Sequence, residues 1–179
     1  VVIGAASPCN SITSSNITLS VNPLPTVGVN VQPADVVCAG TDVSLSGTGA
    51  ATYSWDNGVQ NNTSFSVSQT TTYTVTGTSA AGCTATASQT VTVNPLPVVT
   101  ISASPYGSLY QGLTTTITAS SNPSGTVYGW LKDGSVLPAQ TGNTITVDAS
   151  QLGTYQASFT DANGCIGLSN ELRIKDSVL

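Results

Sequence analysis

Polar and apolar residues alternate along TYSWD (52–56), TSFSVS (63–68), TYTVTGT (72–78) and TVTV (90–93). A period of two puts one set of side chains on each face of an extended strand. Gly, Pro, Asn and Asp fill the intervals, and short alternating runs bounded by such turn signals predict a β-sandwich or barrel. No segment joins helical spacing to a convincing cap. The pattern predicts an all-β chain.

The same alternation returns in longer units. VNPLPTV starts at Val21 and VNPLPVV starts at Val93, 72 positions later. Each follows a strand, a small-residue turn containing a cysteine, and a second strand: VVIGAASPCNSITSSNITLS before the first copy, YTVTGTSAAGCTATASQTVT before the second. The stretch from Tyr155, YQASFTDANGCIGLSNELRIKD, repeats the plan without the final prolines, and Tyr73 and Tyr155 each precede a cysteine by ten positions. CAGTDVSL from Cys38 matches YQGLTTTI from Tyr110, and YSW ending at Trp55 matches YGW ending at Trp130. Fixed-period similarity of this kind marks a modular array. The expected division is a terminal hairpin of a preceding module (1–22), one module (23–95) and a second module (96–179).

The NPLP strings fall at the seams of that division. Pro23 and Pro95 cannot donate to a β-ladder, so each should stop the strand before it. A residue before proline is pushed to extended geometry, and Pro23, Pro25, Pro95 and Pro97 stiffen the short links they occupy.

Composition narrows the partners. Charged residues are 6% of the chain, three Lys+Arg against eight Asp+Glu, for a net charge of −5. Nucleic acid needs a basic footprint, which is missing. An anionic membrane surface needs one too, and no apolar run reaches spanning length, so no membrane insertion is expected. With 39% hydrophobic residues, many of them β-branched, the chain has enough apolar surface to fold. The N-terminus lacks the basic start and apolar core of a signal peptide, so the expectation is that residue 1 does not begin the gene product.

Two stretches carry a family resemblance. WLKDG at Trp130–Gly134 and LGTYQASFTDANG at Leu152–Gly164 resemble an intermediate-type immunoglobulin (Ig) domain, with a strand-C Trp before a Lys-Asp-Gly turn and a Gly-x-Tyr opening strand F. The CAGT, DANGC and VNPLP strings resemble those of tandem Ig-like and PKD-like modules in large surface proteins of the Bacteroidota. The resemblance spans essentially the whole chain. It implies tandem Ig-like β-sandwiches in an end-to-end rod, export by a type IX system, and a place in adhesion or gliding at the cell surface.

The resemblance also implies structural roles. Trp55 and Trp130 should fill the sandwich centres, and Tyr73 and Tyr155 should form tyrosine corners, each hydroxyl bonded to nearby backbone. The usual Ig disulfide between strands B and F is missing, since those positions hold Gly47 and Val75 in the first module and Ala119 and Ala157 in the second. In an Ig sandwich the A–B and F–G turns lie at opposite poles. A strand of eight residues spans about 26 Å, whereas bridged Cα atoms sit within about 7 Å. Cys38 in an A–B turn is therefore poorly placed for Cys83 in its own F–G turn. In stacked modules it faces Cys165 of the next one. The preferred pairing is Cys38–Cys165, with Cys38–Cys83 as the alternative. By the same rule Cys83 and Cys9 would reach cysteines of upstream modules. The second module has Tyr110 at the A–B position.

Other chemistry is sparse. With no His and a single Glu, Glu171, there is little for general acid–base work, and no Ser sits in a GxSxG elbow. No catalytic residue, cofactor or metal site is expected, and the chain does not read as an enzyme. Asp56-Asn57-Gly58 and Asp133-Gly134 read as hairpin turns that need positive φ, and Asp161–Gly164 as the F–G turn. Asn16, Asn61 and Asn62 match the N-glycan acceptor pattern, and Asp176-Ser177-Val178 resembles a Bacteroidota O-glycan motif at Ser177. Tyr106, Tyr110 and Tyr128 are candidate aromatics for sugar stacking.

Three readings of function follow. The first is a structural and adhesive stalk, extracellular and at the cell surface, whose partners are neighbouring Ig-like modules of the same chain or filament. The second is a binding module that takes surface glycans or proteins through loops such as 57–63 or 120–128. The third is a polymerising fibre subunit in which 1–22 completes a neighbour.

Overall fold

The computed structural model describes residues 20–126 and 128–177. The expected hairpin at 1–22, with Cys9 and Asn16, lies almost wholly outside the described residues. Before the second NPLP come β1 (Gly28–Gln32), β2 (Val36–Cys38), β3 (Asp42–Thr48), β4 (Thr52–Trp55), β5 (Ser64–Ser66), β6 (Thr71–Thr78) and β7 (Thr84–Asn94). After it come β8 (Val98–Ser104), β9 (Ser108–Leu109), β10 (Thr114–Asn122), β11 (Gly129–Lys132) and β12 (Ser135–Val136). The chain continues with β13 (Thr144–Asp148), β14 (Gly153–Thr160), β15 (Ile166–Leu168) and β16 (Leu172–Asp176). Every described element is a strand or a turn, as the alternation predicts.

The strands form two sandwiches built to one plan. In the first, the sheet β1-β3-β5 shares a core with β2-β7-β6-β4. In the second, β8-β10-β13 shares a core with β12-β11-β14-β16-β9, and β15 also pairs with β14. The short second strand of each sandwich, β2 or β9, runs parallel to the last long strand, β7 or β16. The other pairs described are antiparallel. In Ig lettering each sandwich is A-B-E against A′-G-F-C, and the second adds C′.

Period-two patterning sets the faces. On β13, Ile145 and Val147 point into the core while Thr144, Thr146 and Asp148 face solvent. On β6, Tyr73, Val75 and Gly77 are the buried positions. Asn57 (φ 52°) and Gly58 (φ 71°) adopt the left-handed region, as do Asp133 (φ 49°) and Gly134 (φ 79°). The latter pair closes a two-residue hairpin between Lys132 and Ser135, the geometry that Asp-Gly favours. At the B–F positions Val75, Ala119 and Ala157 are buried, and a Cβ on Gly47 would overlap the Tyr53 ring. Side-chain packing fills the space that an Ig disulfide would cross.

The four expected core aromatics divide. Trp130 is fully buried, and its indole N–H donates to the Gly142 carbonyl at 2.8 Å. Tyr155 is buried, and its hydroxyl donates to the Gln151 carbonyl, a tyrosine corner. Burial pushes its pKa up from 10.0, helped by the charges of Asp133 and Asp148. Tyr73 is buried edge-on to Phe65, with ring centroids 5.5 Å apart. Its hydroxyl makes no bond among the described residues, so the expected corner at Tyr73 does not form. The hydroxyl-to-backbone link forms instead at Tyr53, which donates to the Ala50 carbonyl and accepts from its N–H, both at 2.8 Å. Trp55 does not fill the centre of its sandwich as expected. It is half-buried at the margin of the first core, and its indole N–H donates to Asn61 Oδ1 at 3.0 Å. The reason is position: β4 is the edge of its sheet, whereas β11, which carries Trp130, is flanked by β12.

Candidate functional site

The two sandwiches meet at a covalent joint. Cys38 is the last residue of β2, and the parallel register with β7 sets it beside Asn94, the first residue of the second NPLP. The Ala39 N–H donates to the Asn94 carbonyl at 2.9 Å, which fixes the start of the A–B turn against the end of the G strand. Cys38 is therefore held at the pole where the chain leaves the first sandwich.

Cys165 closes the F–G turn of the second sandwich. Asp161 organises that turn: its Oδ1 accepts the N–H of Asn163 and of Cys165, each at 2.9 Å. Its own N–H donates to the Cys165 carbonyl at 2.9 Å, and its carbonyl accepts from Gly164 at 3.1 Å. Gly164 takes the left-handed conformation (φ 78°) that this tight return requires. The turn presents Cys165 to Cys38, and the two form a disulfide with 5.5 Å between Cα atoms. The preferred pairing is the one observed, and the alternative Cys38–Cys83 pairing is overturned.

The peptide link runs alongside. Pro95, Leu96 and Pro97 are the residues between β7 and β8. Pro95 is exposed and Pro97 is buried. Gly167 on β15 packs directly on the Pro97 carbonyl, where a Cβ would overlap backbone. Farther along, β15 and β16 are interrupted at Ser169–Glu171. Between the pairs Ser158–Leu168 and Tyr155–Leu172 the G strand spends four steps against three on β14, one residue too many, which is a β-bulge. Side chains brace the bulge. Ser169 Oγ accepts from the Ala157 N–H at 2.9 Å. Asn170 spans to β8, accepting from the Ile101 N–H at 3.1 Å and donating to its carbonyl at 3.3 Å. The bulge thus ties the strand behind Cys165 to the first strand of its own sandwich.

The first F–G turn repeats the second without a partner. Ser79 donates its N–H to the Cys83 carbonyl at 2.8 Å, and its Oγ accepts from the Cys83 N–H at 3.1 Å. Cys83 is half-buried, a free thiol among the described residues. Its Sγ lies 3.9 Å from the carbonyl oxygen of Asn22, the first residue of the other NPLP.

Other expected sites are placed as follows. Tyr128 is buried, with its ring 5.4 Å from Phe159 and its hydroxyl on Ser121 Oγ at 3.0 Å, so it is not presented to a sugar. In the loop expected at 120–128, β10 runs on to Asn122 and the irregular part starts at Pro123. Tyr106 and Tyr110 are exposed. In the 57–63 loop, Asn61 Oδ1 accepts from both Gly47 N–H, at 2.8 Å, and Trp55, so that residue braces the loop. Asn62 sits at φ 63° and donates its N–H to the Leu45 carbonyl. Ser177 donates its N–H to the Leu109 carbonyl at 2.9 Å and is partly exposed. Among the described residues no three His, Cys, Asp or Glu side chains converge. Among the same residues no helix is long and apolar enough to cross a membrane. The bulge, the Gly167 seat and the Tyr53 link were missed in the sequence. The only available signal was the glycine two residues after Cys165, where the first module has Ala85.

No protein-family model matches the chain, and no curated protein matches it. Solved structures of low similarity do. Murine CEACAM1b is 15% identical, with 84% of this chain and 100% of that one covered at a TM-score of 0.38. The human OSCAR ligand-binding domain is 18% identical, with 87% and 100% covered at 0.37. The mouse nectin-like molecule 4 ectodomain (Ig1–Ig3) is 19% identical, with 87% and 66% covered at 0.36.

Proposed function

We propose that this chain is a structural and adhesive repeat segment of an extracellular surface protein or filament, acting as a semi-rigid stalk. On this reading 23–95 and 96–179 are consecutive modules set end to end. The Cys38–Cys165 bridge carries the proposal. Two bodies joined by one short peptide can swivel about it; a second covalent tether at a separate point removes most of that freedom. Rigid coupling serves a protein that holds something at a distance, and it needs no active site. A structural disulfide fits an oxidising compartment, and the resemblance to Bacteroidota surface modules supports the cell exterior.

Small-angle X-ray scattering of the oxidised chain beside the Cys38→Ser/Cys165→Ser variant tests the reading. The bridged chain should give one narrow distribution of maximum dimensions and the variant a broad one. Superimposable curves would remove the stalk.

A further inference from the structure

We propose that Cys83 is the covalent docking point for a second joint, made to an Ig-like module that precedes the first sandwich and carries a cysteine at the end of its own A′ strand. This inference rests on the stalk reading and names the partner of its first joint.

Three observations converge. First, the turn that presents Cys83 is the turn that presents Cys165. Ser79 N–H to the Cys83 carbonyl (2.8 Å) and Gly82 N–H to the Ser79 carbonyl (2.9 Å) mirror the Asp161 bonds to Cys165 and from Gly164 (2.9 and 3.1 Å). The side-chain acceptor on the cysteine N–H is Ser79 Oγ in one and Asp161 Oδ1 in the other. Second, the equivalent cysteine is bonded in this same molecule, Cys165 to Cys38. Third, the Cys83 thiol is aimed at the corresponding seam. It lies 3.9 Å from Asn22 O, and Asn22 opens the first NPLP as Asn94 opens the second. At the second seam, the strand paired beside Asn94 ends in the bridging Cys38. A preceding module built the same way would hold its A′-terminal cysteine beside Asn22, within reach of Cys83.

Partners within this chain do not fit that place. Cys38 and Cys165 are already joined. Cys9 falls in the stretch that matches the F–G hairpins, so its motif position is that of Cys83 itself. A second copy of the C-terminal sandwich offers Tyr110 at the A–B position and has no cysteine there. The partner is therefore a module of the Cys-Ala-Gly-Thr type. Bond formation balances as thiol–disulfide exchange with an oxidised dithiol carrier. The two cysteine S–H bonds are lost, one S–S bond forms, and the carrier disulfide takes up the two electrons and two protons as two thiols.

The test is peptide mapping of the intact protein from its source, alkylated with iodoacetamide before any reductant and analysed by mass spectrometry. The expected result is a Cys83 peptide linked to a cysteine peptide from outside residues 1–179, two hydrogen masses lighter than its halves and lost on reduction. An alkylated Cys83, or a link to Cys9 or to a second copy, would overturn the proposal. The same map reports Cys38–Cys165. A free Cys83 beside an intact Cys38–Cys165 bridge sinks this inference and leaves the stalk standing, whereas a linked Cys83 in a molecule that scatters as freely jointed sinks the stalk alone.

Discussion

The two sandwiches share a strand plan and differ in how well each is closed. In the second, Trp130 lies under a flanking strand, and Tyr155 is tied to a corner that Asp148 and Gln151 build together. There Ser150 donates to Asp148 Oδ1 from its N–H (2.8 Å) and its hydroxyl (2.6 Å), and Gln151 N–H donates to the Asp148 carbonyl (3.0 Å). In the first, Trp55 sits on an edge strand with its polar atom turned to a loop asparagine, and β7 runs unbroken from Thr84 to Asn94. The bulge, the buried proline and the bridged cysteine all belong to the side that touches a neighbour. The better-closed core and the covalent joint are built from different residues of the same sandwich, Trp130, Tyr155, Asp148 and Gln151 for the one and Cys165, Gly167 and Pro97 for the other.

The largest test of that contrast is a pair of tryptophan deletions. Trp130→Ala empties a fully covered site and should cost about 3–5 kcal/mol. Trp55→Ala removes a side chain that solvent already reaches, and about 1–2 kcal/mol is expected from its buried fraction. Urea titrations followed by far-UV circular dichroism would rank them. Equal midpoints, or a lower one for Trp55→Ala, would mean the cores are closed alike.

The joint offers a smaller test. Gly167→Ala pushes a methyl into the backbone carbonyl of Pro97, and overpacking of this kind costs about 1–3 kcal/mol. The first sandwich already carries Ala85 two residues after its cysteine, so Ala85→Gly should cost only about 0.5–1 kcal/mol through chain entropy. Denaturation midpoints compare the two. If Gly167→Ala is neutral, the linker does not seat against β15 in solution.

These contrasts show where a linear pattern is informative. Alternation displayed which residues of β6 and β13 face inward, because a period of two is a local property. The Cys38–Cys165 bridge was legible for a global but simple reason: strands reverse direction, so the two turns of one sandwich lie at opposite poles. The fate of Trp55 was not legible, since TYSWD reads the same on an edge strand as on a central one. Nor was the bulge, because Ser169-Asn170 resembles a turn until Asn170 is seen bonding to Ile101. Tyr73 follows the corner motif in spacing, yet its sandwich lacks the Asp148–Gln151 return that supplies an acceptor to Tyr155.

The smallest effect isolates that corner by pH. Tyr155 holds its proton more tightly folded than unfolded, chiefly through burial. A raised folded pKa contributes stability that is complete below the unfolded value of 10.0 and is lost as pH rises through the folded one. Asp148 acts at the other end. The Ser150 hydroxyl, then its N–H, hold the Asp148 carboxyl below 3.8, so its stabilisation is present above that pH and fades as pH falls through the lowered value. Urea midpoints should therefore decline above pH 10 in the native chain and decline less in Tyr155→Phe. A shallower acid limb is expected in Asp148→Asn. If Tyr155→Phe loses stability in parallel with the native chain above pH 10, the hydroxyl at Gln151 is not what closes the second sandwich, and its advantage over the first rests on Trp130.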